Sequence, residues 1–213
     1  DRKFGYFELG GTSKFQKNHK IYDFHIFGSI DCPSSYSKIA AIEWNLREVF
    51  PRKIINEAKK IFENYKISKN EFRIAKPFIT IDPDDAKDLD DAIFIEEDTS
   101  DNNPRGLYLY IAIADVSFFV KPGSVIDEEA VKRGNSTYFP DKVIPMLPED
   151  LSNSLCSLKE RTPKKAIVVK IKLDYKGHKI THKFMRGLIK VKKNYSYEKF
   201  EAYLLQDKSE DQF

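Results

Sequence analysis

The stretch Thr80–Ile93, TIDPDDAKDLDDAI, places six aspartates within ten residues between two short apolar segments. Like charges this close repel one another, and each carboxyl group resists ionisation beside its neighbours. A chain gains no stability from such a loop unless a cation neutralises it. The segment from Asp82 to Asp91, called the acidic loop below, is therefore the first candidate for a functional site.

The type of ion follows from the donor atoms. Carboxylate oxygens with no Cys or His nearby favour Mg²⁺ or Mn²⁺ over zinc. A calcium-binding EF-hand loop counted from Asp82 would need Gly at its sixth position and Glu at its twelfth. Those positions hold Lys87 and Ile93, which excludes that motif. A solvated acidic turn without a bound ion stays open as the alternative.

Helices and strands alternate around the acidic loop, which predicts an α+β fold. Apolar positions at helical spacing predict one helix capped by Ser34 or Ser35 and continuing to Phe50, and a second from Pro51 to about Tyr65. Further helices are expected at Ile126–Arg133 and from Ser196. Apolar runs predict strands, listed in chain order: Phe78–Ile81, Ile93–Ile95, Leu107–Ala114, Ala166–Leu173 and Lys179–Ile189, the last two as a hairpin.

Composition sets broad limits on the protein. Its 213 residues are 41% hydrophobic and 32% charged with a net charge of +3, which suits one large domain or two small ones. No run approaches the ~18 apolar residues of a membrane span, so no membrane partner is expected. Cys32 and Cys156 have no metal-ligand spacing, and we expect two buried, reduced thiols in a cytoplasmic protein. His178 and His182 lie on strand-like sequence, which argues against a zinc pair.

Beyond the acidic loop, ordered motifs carry a family resemblance. The first motif is T-I-D, followed by five residues and then D-x-D-D-A. It contains four aspartates, called the four aspartates below: Asp82, Asp88, Asp90 and Asp91. Further matches follow in order: I-A-D at Ile113–Asp115, G-S-x-x-D at Gly123–Asp127, R-G-x-S-x-Y-x-P at Arg133–Pro140, and P-M-L-P through L-C-S-L at Pro145–Leu158. Over roughly residues 25–200 the chain resembles the ribonuclease II / ribonuclease R family of RNB-domain exoribonucleases, and within it the ribonuclease R type.

The resemblance implies a Mg²⁺-dependent hydrolytic 3′→5′ exoribonuclease that acts on single-stranded RNA and releases nucleoside 5′-monophosphates. It implies that the four aspartates are catalytic and hold Mg²⁺, with Mn²⁺ as a substitute. Tyr138 falls on a family tyrosine that stacks on the terminal base; an ordinary core tyrosine is the alternative. Asp115 is either an outer acid of the metal site or a cap at a strand end. For most of Pro145–Leu158 we expect a structural role.

The resemblance also implies a domain plan. We expect residues 1–33 to be the remnant of a preceding cold-shock-type β module or a linker. Residues 34–205 are expected to form the N-terminal portion of an RNB-type catalytic domain, with a mixed sheet flanked by helices. Residues 206–213 are expected to be a polar tail. The family's later Arg-Arg-Tyr motif is absent. Three alternatives therefore stay open. The chain is a truncated, weakly active or inactive RNA-binding remnant, or a second polypeptide supplies the other catalytic half, or the chain is an interaction module that binds a basic partner.

Overall fold

The structure is a computed structural model, and it describes residues 3–9 and 21–205. It divides into two compact units. Unit 1 consists of Asp1–Pro51 and Glu129–Met146, and unit 2 of Arg52–Glu128 and Leu147–Phe213. The predicted polar tail 206–213 lies outside the described residues. The first predicted domain boundary, at residue 33, does not coincide with a division between these units.

A six-stranded mixed sheet forms the centre of unit 2. Its strands in chain order are β3 (Ile79–Asp82), β4 (Asp91–Glu97), β5 (Leu107–Ala114), β8 (Pro163–Leu173), β9 (Lys179–Lys190) and β10 (Lys193–Ser196). Their spatial order is β10-β3-β4-β5-β8-β9. Only the β10–β3 pair is parallel within this sheet, and the other pairs are antiparallel. The mixed sheet with helices confirms the predicted α+β class.

The two faces of this sheet differ. Ala92, Ala112 and Val168 are paired neighbours in one row and are at most 1% exposed, so they face the core. On the opposite face, Ile95 is 49% and Ile113 48% exposed. Alternate residues of a strand point to opposite faces, which explains the contrast. One face of the sheet is therefore packed, and the other leaves apolar side chains in contact with water.

The helices of unit 2 and the segment before β8 complete its core. They are α2 (Arg52–Asn64), α3 (Val116–Phe119) and α5 (Tyr197–Leu205), while α4 (Val125–Arg133) contributes residues to both units. A π-helical turn spans Asp150–Leu155, and sequence periodicity did not predict it. Leu151 and Leu158 are 0% exposed. Their burial agrees with the structural role expected for most of this stretch.

Unit 1 contains two short antiparallel sheets and a helix. Its elements are β1 (Lys3–Leu9), β2 (Ile21–Ser29), α1 (Pro33–Glu43), β6 (Thr137–Tyr138) and β7 (Val143–Ile144). The side chain of Arg133, the last residue of α4, is buried and contacts neighbouring residues of unit 1. It donates to the Glu129 carboxylate at 3.1 Å, and its guanidinium carbon lies 3.5 Å from the centre of the Phe50 ring. The motif arginine is thus a packing residue.

Helix α1 corrects three sequence predictions. Its N-cap is Cys32 with Pro33 at the first turn, so neither Ser34 nor Ser35 caps it. The helix ends at Glu43, short of Phe50, because Asn45 takes a left-handed backbone conformation with φ of 51°. Cys32 is exposed at this start, whereas Cys156 in unit 2 is buried as expected. Both cysteines are free thiols.

Candidate metal site in the acidic loop

The acidic loop joins two strands of the central sheet. Asp82 is the last residue of β3 and Asp91 the first of β4. The two strands pair antiparallel, with Ile79 opposite Ile93, so both aspartates lie at the same end of the sheet. Asp88 and Asp90 lie on the connecting segment between them. The backbone therefore brings the four aspartates predicted from the sequence together at one end of the central sheet.

Hydrogen bonds from elsewhere in unit 2 hold this loop. The Ser157 hydroxyl donates to the carbonyl of Lys87 at 2.7 Å and accepts from the amide of Leu89 at 3.2 Å. The amide of Leu158 donates to the carbonyl of Leu89 at 2.8 Å. On the other side, the amide of Ala114 donates to the carbonyl of Asp90 at 2.8 Å. The loop is consequently fixed on both sides of Asp88.

Ser157 is a site residue that sequence reasoning missed. It is 0% exposed and carries no charge, and it belongs to a stretch in which a structural role is expected for most residues. The sole sequence signal was its place in the L-C-S-L motif. Because its partners lie about 70 positions earlier in the chain, no local pattern could reveal them.

The charges of the loop act on one another. Burial raises the pKa of Asp82, and repulsion from Asp91 and Asp88 adds to this rise, while a hydrogen bond with Thr80 opposes it. Desolvation by the surrounding protein raises the pKa of Asp90, and the other three carboxylates raise it further. Asp88 and Asp91 thus lie close enough to Asp82 and Asp90 to raise the pKa of both. A cation at this edge would relieve the repulsion.

The fit of the loop to a metal ion rests on Asp82. Its Oδ2 atom is buried and has no hydrogen-bond partner in the part of the chain that the structure describes. A buried carboxylate oxygen without a partner is costly, and a metal ion is one way to satisfy it. Within residues 3–9 and 21–205, no three His, Cys, Asp or Glu side chains are drawn together as a ready-made metal site. The carboxylate oxygens of the loop are nevertheless the kind of ligand that Mg²⁺ prefers.

The additional acids of the loop face solvent. Asp84 and Asp85 are exposed, and Asp84 forms an ion pair with Lys199 at 3.3 Å in which both side chains are 73% exposed. Such exposed pairs contribute about 0–1 kcal/mol. Asp90 and Asp91 are exposed as well, so exposure does not choose between the two roles open for Asp84 and Asp85, outer acids of the site or solvated side chains.

Asp115 is a cap and an ion-pair partner. Its carboxylate accepts from the amide of Phe118 at 3.2 Å, which caps α3, and from Arg186 Nη2 at 2.8 Å. Burial opposes ionisation of Asp115, but the hydrogen bonds from Arg186 and Ser117 outweigh it and lower the pKa of the carboxyl group. Of the two roles left open by the sequence, the structure supports the cap at the strand end.

Tyr138 belongs to unit 1 and the four aspartates to unit 2. It lies in β6 opposite Val143 and is 63% exposed, so it is not a core tyrosine. The expected stacking role stays a prediction. Its ring is accessible to a partner from solvent.

His178, His182 and Cys156 lie outside the acidic loop and have the following surroundings. His178 lies in the turn before β9, where its Nδ1 is 3.1 Å from Asp174 Oδ2, and His182 packs edge-on against Phe184. Burial raises the pKa of Cys156 to about 12, and the nearby Asp90 carboxylate adds to this rise. Cys156 is therefore a protonated, packed thiol at neutral pH.

None of the described helices is long and apolar enough to cross a membrane.

Comparison with known proteins identifies the family. The model of the RNB domain matches residues 70–212, which include the acidic loop and the whole central sheet. This chain belongs to the RNB-domain family. Ribonuclease R of Vibrio parahaemolyticus is 35% identical over 183 residues, which cover 84% of this chain and 21% of that relative. The chain thus spans about a fifth of the length of this relative.

Solved structures agree with this assignment. The structure of Mycoplasma genitalium RNase R in complex with double-stranded RNA has a TM-score of 0.81 and 28% identity, and the match covers 95% of this chain and 36% of that one. The same enzyme in complex with ribose methylated single-stranded RNA gives a TM-score of 0.77 at 29% identity, covering 90% of this chain and 29% of that one.

Proposed function

We propose that this chain is part of a Mg²⁺-dependent hydrolytic 3′→5′ exoribonuclease that degrades single-stranded RNA to nucleoside 5′-monophosphates. The observation that carries the proposal is the acidic loop of an RNB-domain protein, in which neighbouring carboxylates raise the pKa of Asp90 and the buried Asp82 Oδ2 has no hydrogen-bond partner among the described residues. The RNA-bound structures of the similar Mycoplasma genitalium RNase R support RNA as the ligand.

Within this proposal the protein groups have distinct tasks. Asp82, Asp90 and Asp91 are the metal ligands, with Asp88 as a further ligand or as an orienting group. One or two bound Mg²⁺ ions would supply an activated water and neutralise charge at the leaving oxygen of an in-line displacement. Ser157 keeps the loop in place, which positions the carboxylates before RNA arrives. Positioning and charge stabilisation account for most of phosphoryl-transfer catalysis.

Tyr138 is proposed to stack on the terminal base. Base–aromatic stacking tolerates every base, which suits an enzyme that ignores sequence. Tyr138 is 63% exposed, which supports this role. The family's catalytic arginine has no counterpart here, because the Arg-Arg-Tyr motif is absent from the 213 residues. We propose that a second polypeptide or further chain supplies it.

The alternative is a non-catalytic RNA-binding remnant. Such a remnant would lack the stabilising arginine, whose loss costs about 10³–10⁵ in rate in enzymes that use an arginine finger. The two functions share the fold and differ in whether RNA is cut. Only an assay of cleavage separates them.

A labelled oligoribonucleotide tests the proposal. The chain, alone and with the polypeptide that carries the rest of the RNB domain, is incubated with 5′-labelled single-stranded RNA and Mg²⁺, and products are resolved on a sequencing gel. We expect stepwise shortening from the 3′ end by the completed protein, and far slower cleavage by this chain alone. Internal cuts, or cleavage that persists in EDTA, would contradict the exoribonuclease. RNA binding without cleavage by the completed protein would favour the remnant.

Two variants refine this assay. Asp90→Asn is expected to nearly abolish cleavage and leave RNA binding largely intact, whereas the exposed Asp85→Asn serves as the matched control with full activity. Tyr138→Ala is expected to loosen the grip on the last nucleotides and change the length of the end product. Full activity of Asp90→Asn would contradict the assigned role of the four aspartates.

We also propose a cytoplasmic location, because both cysteines are free thiols and structural disulfides mark oxidising compartments. Alkylation in intact cells followed by mass spectrometry tests this proposal. Modification of Cys32 by the cell-permeant reagent only is the expected result. Modification by an impermeant reagent would contradict a cytoplasmic location.

A further inference from the structure

The end of α1 presents an exposed tryptophan. Trp44 is the only tryptophan of the sequence, and 76% of it is exposed. The next residue, Asn45, has a left-handed backbone conformation with φ of 51°, which turns the chain sharply out of the helix. A large aromatic residue on the surface is costly to hydrate, and exposed aromatic side chains are typical of binding sites.

A small cavity adjoins this turn, and it lies within unit 1. Its volume is about 120 Å³ and its lining residues include Trp44, Arg47, Lys132, Asn135 and Thr137. Pockets for free small molecules usually measure about 300–1,000 Å³. The cavity is therefore sized for one unit of an extended ligand and not for a whole cofactor. Its full lining combines an aromatic ring, three cations, two amides, a hydroxyl group and two aliphatic side chains.

Two of the cations at the cavity, Arg47 and Lys132, are exposed to solvent. Arg47 uses Nε and Nη2 on the Glu129 carboxylate at 2.9 and 3.0 Å, and its side chain remains 43% exposed. Lys132 is exposed at the surface of α4. Arg133, in contrast, is buried and donates to the carbonyls of Pro145 and Val49, each at 3.1 Å.

The charge balance favours an anionic ligand. A single carboxylate, Glu129, faces two guanidinium groups, which leaves a positive excess that Lys132 increases. A cluster of Arg and Lys beside an exposed aromatic ring matches the combination that single-strand nucleic-acid sites use, with cations on phosphate and a ring under a base.

We propose that this cavity is a nucleotide subsite for single-stranded RNA, with Trp44 stacking on a base and Arg47 and Lys132 contacting a phosphate. Asn135 provides a donor and an acceptor for the sugar or the base edge. The subsite is distinct from Tyr138, because Thr137 lines the cavity and consecutive strand residues point to opposite faces. The inference deepens the proposed function and rests on RNA as the ligand.

The single tryptophan makes the test direct. An oligoadenylate of twelve nucleotides is titrated into the protein in EDTA, which prevents cleavage, while Trp44 fluorescence and filter binding are recorded together. We expect quenching with the same midpoint as binding. Trp44→Leu should weaken binding about tenfold, and Trp44→Tyr should restore most of it. Lys132→Gln should weaken binding and lower the slope of its salt dependence by about 1.

Control variants and contrary results distinguish a failure of the subsite from a failure of the proposed function. Tyr36→Leu, also exposed and on α1, and Lys53→Gln, on the exposed side of α2, should bind as the wild type does. Binding without quenching, and with an unchanged affinity for Trp44→Leu, would overturn the subsite while leaving RNA as the ligand. Absence of binding to any RNA would overturn the subsite and the proposed function together. A Trp44 emission change caused only by an added RNB-domain polypeptide would make this surface a protein interface and contradict the proposal.

Discussion

The hydroxyl of Ser157 donates a hydrogen bond at 2.7 Å to the carbonyl of Lys87, 70 residues earlier in the chain. The same oxygen accepts from the amide of Leu89 at 3.2 Å. Asp88 lies between these two tethered residues, so one buried hydroxyl group fixes the backbone on both sides of a proposed metal ligand. The acidic loop thus depends on a residue that has no charge and makes no proposed contact with metal.

Ser157→Ala is expected to weaken both stability and metal binding. The change leaves a buried amide and a carbonyl without their side-chain partner, which costs about 1–3 kcal/mol of unfolding free energy. Loss of a group that orients metal ligands typically reduces affinity by about 10–100-fold. Urea unfolding and Mn²⁺ calorimetry measure the two effects. Ser152→Ala is the control, since its hydroxyl bonds only to neighbouring Asn153 among the described contacts. Wild-type Mn²⁺ affinity in Ser157→Ala would contradict the tether.

The Asp115–Arg186 pair predicts a pH-dependent stability. The Asp115 side chain is 0% exposed and accepts from Arg186 Nη2 at 2.8 Å. Arg186→Met leaves this carboxylate buried without its charged partner, and we expect a loss of about 1.5–3 kcal/mol near pH 7. The pKa of Asp115 in the folded protein lies below its ordinary value, so the stabilisation is complete above the unfolded pKa of about 3.9 and is lost as the pH falls through the folded pKa.

Thermal and urea unfolding from pH 3 to 7 measure this effect. The difference between the wild type and Arg186→Met should shrink below about pH 4, where the unfolded carboxyl group is protonated. Lys183→Met, on the exposed part of the same strand, controls for loss of a positive charge. A difference that does not change with pH would show that the pair acts only through packing.

The uncovered face of the central sheet predicts self-association of this chain. Phe184 is 66% exposed and shares this face with Ile113, which is 48% exposed. Contiguous apolar patches above a few hundred Å² drive association. Sedimentation velocity should show oligomers that increase with concentration, and Phe184→Lys should shift them toward monomer. Val131→Lys replaces a 74% exposed apolar residue on α4 and should have no such effect. A monomer at every concentration would contradict this expectation.

The strands and the site loop could be predicted because their signals are local. The continuous apolar run Leu107–Ala114 gave the bounds of β5 as the structure has them. The four aspartates could be chosen because loop charge and motif spacing lie within one segment. Helix α1 was predicted too long because Leu46 and Val49 keep a helical spacing after Asn45 has left the helical conformation. Apolar spacing carries no information about a single residue's backbone angle.

The remaining features depend on distant parts of the chain. The roles of Ser157 and Arg186 are set by partners about 70 residues away, which only the folded sheet brings together. Arg133 was noted as a motif residue, yet its stacking on Phe50 and its bonds to Glu129 follow from packing within unit 1. The exposed Trp44 and the cavity beside it likewise leave no periodic signal in the sequence.

The central claim is that the acidic loop binds a divalent cation through the four aspartates, and Mn²⁺ titration by calorimetry tests it most directly. The wild-type chain is expected to give saturable binding that Asp90→Asn/Asp91→Asn largely removes. The matched double variant Asp84→Asn/Asp85→Asn removes the same charge from two loop acids outside the four aspartates and should retain binding. Circular dichroism confirms that each variant is folded. Equal binding by the wild type and Asp90→Asn/Asp91→Asn, or an equal loss in both double variants, would contradict the metal site.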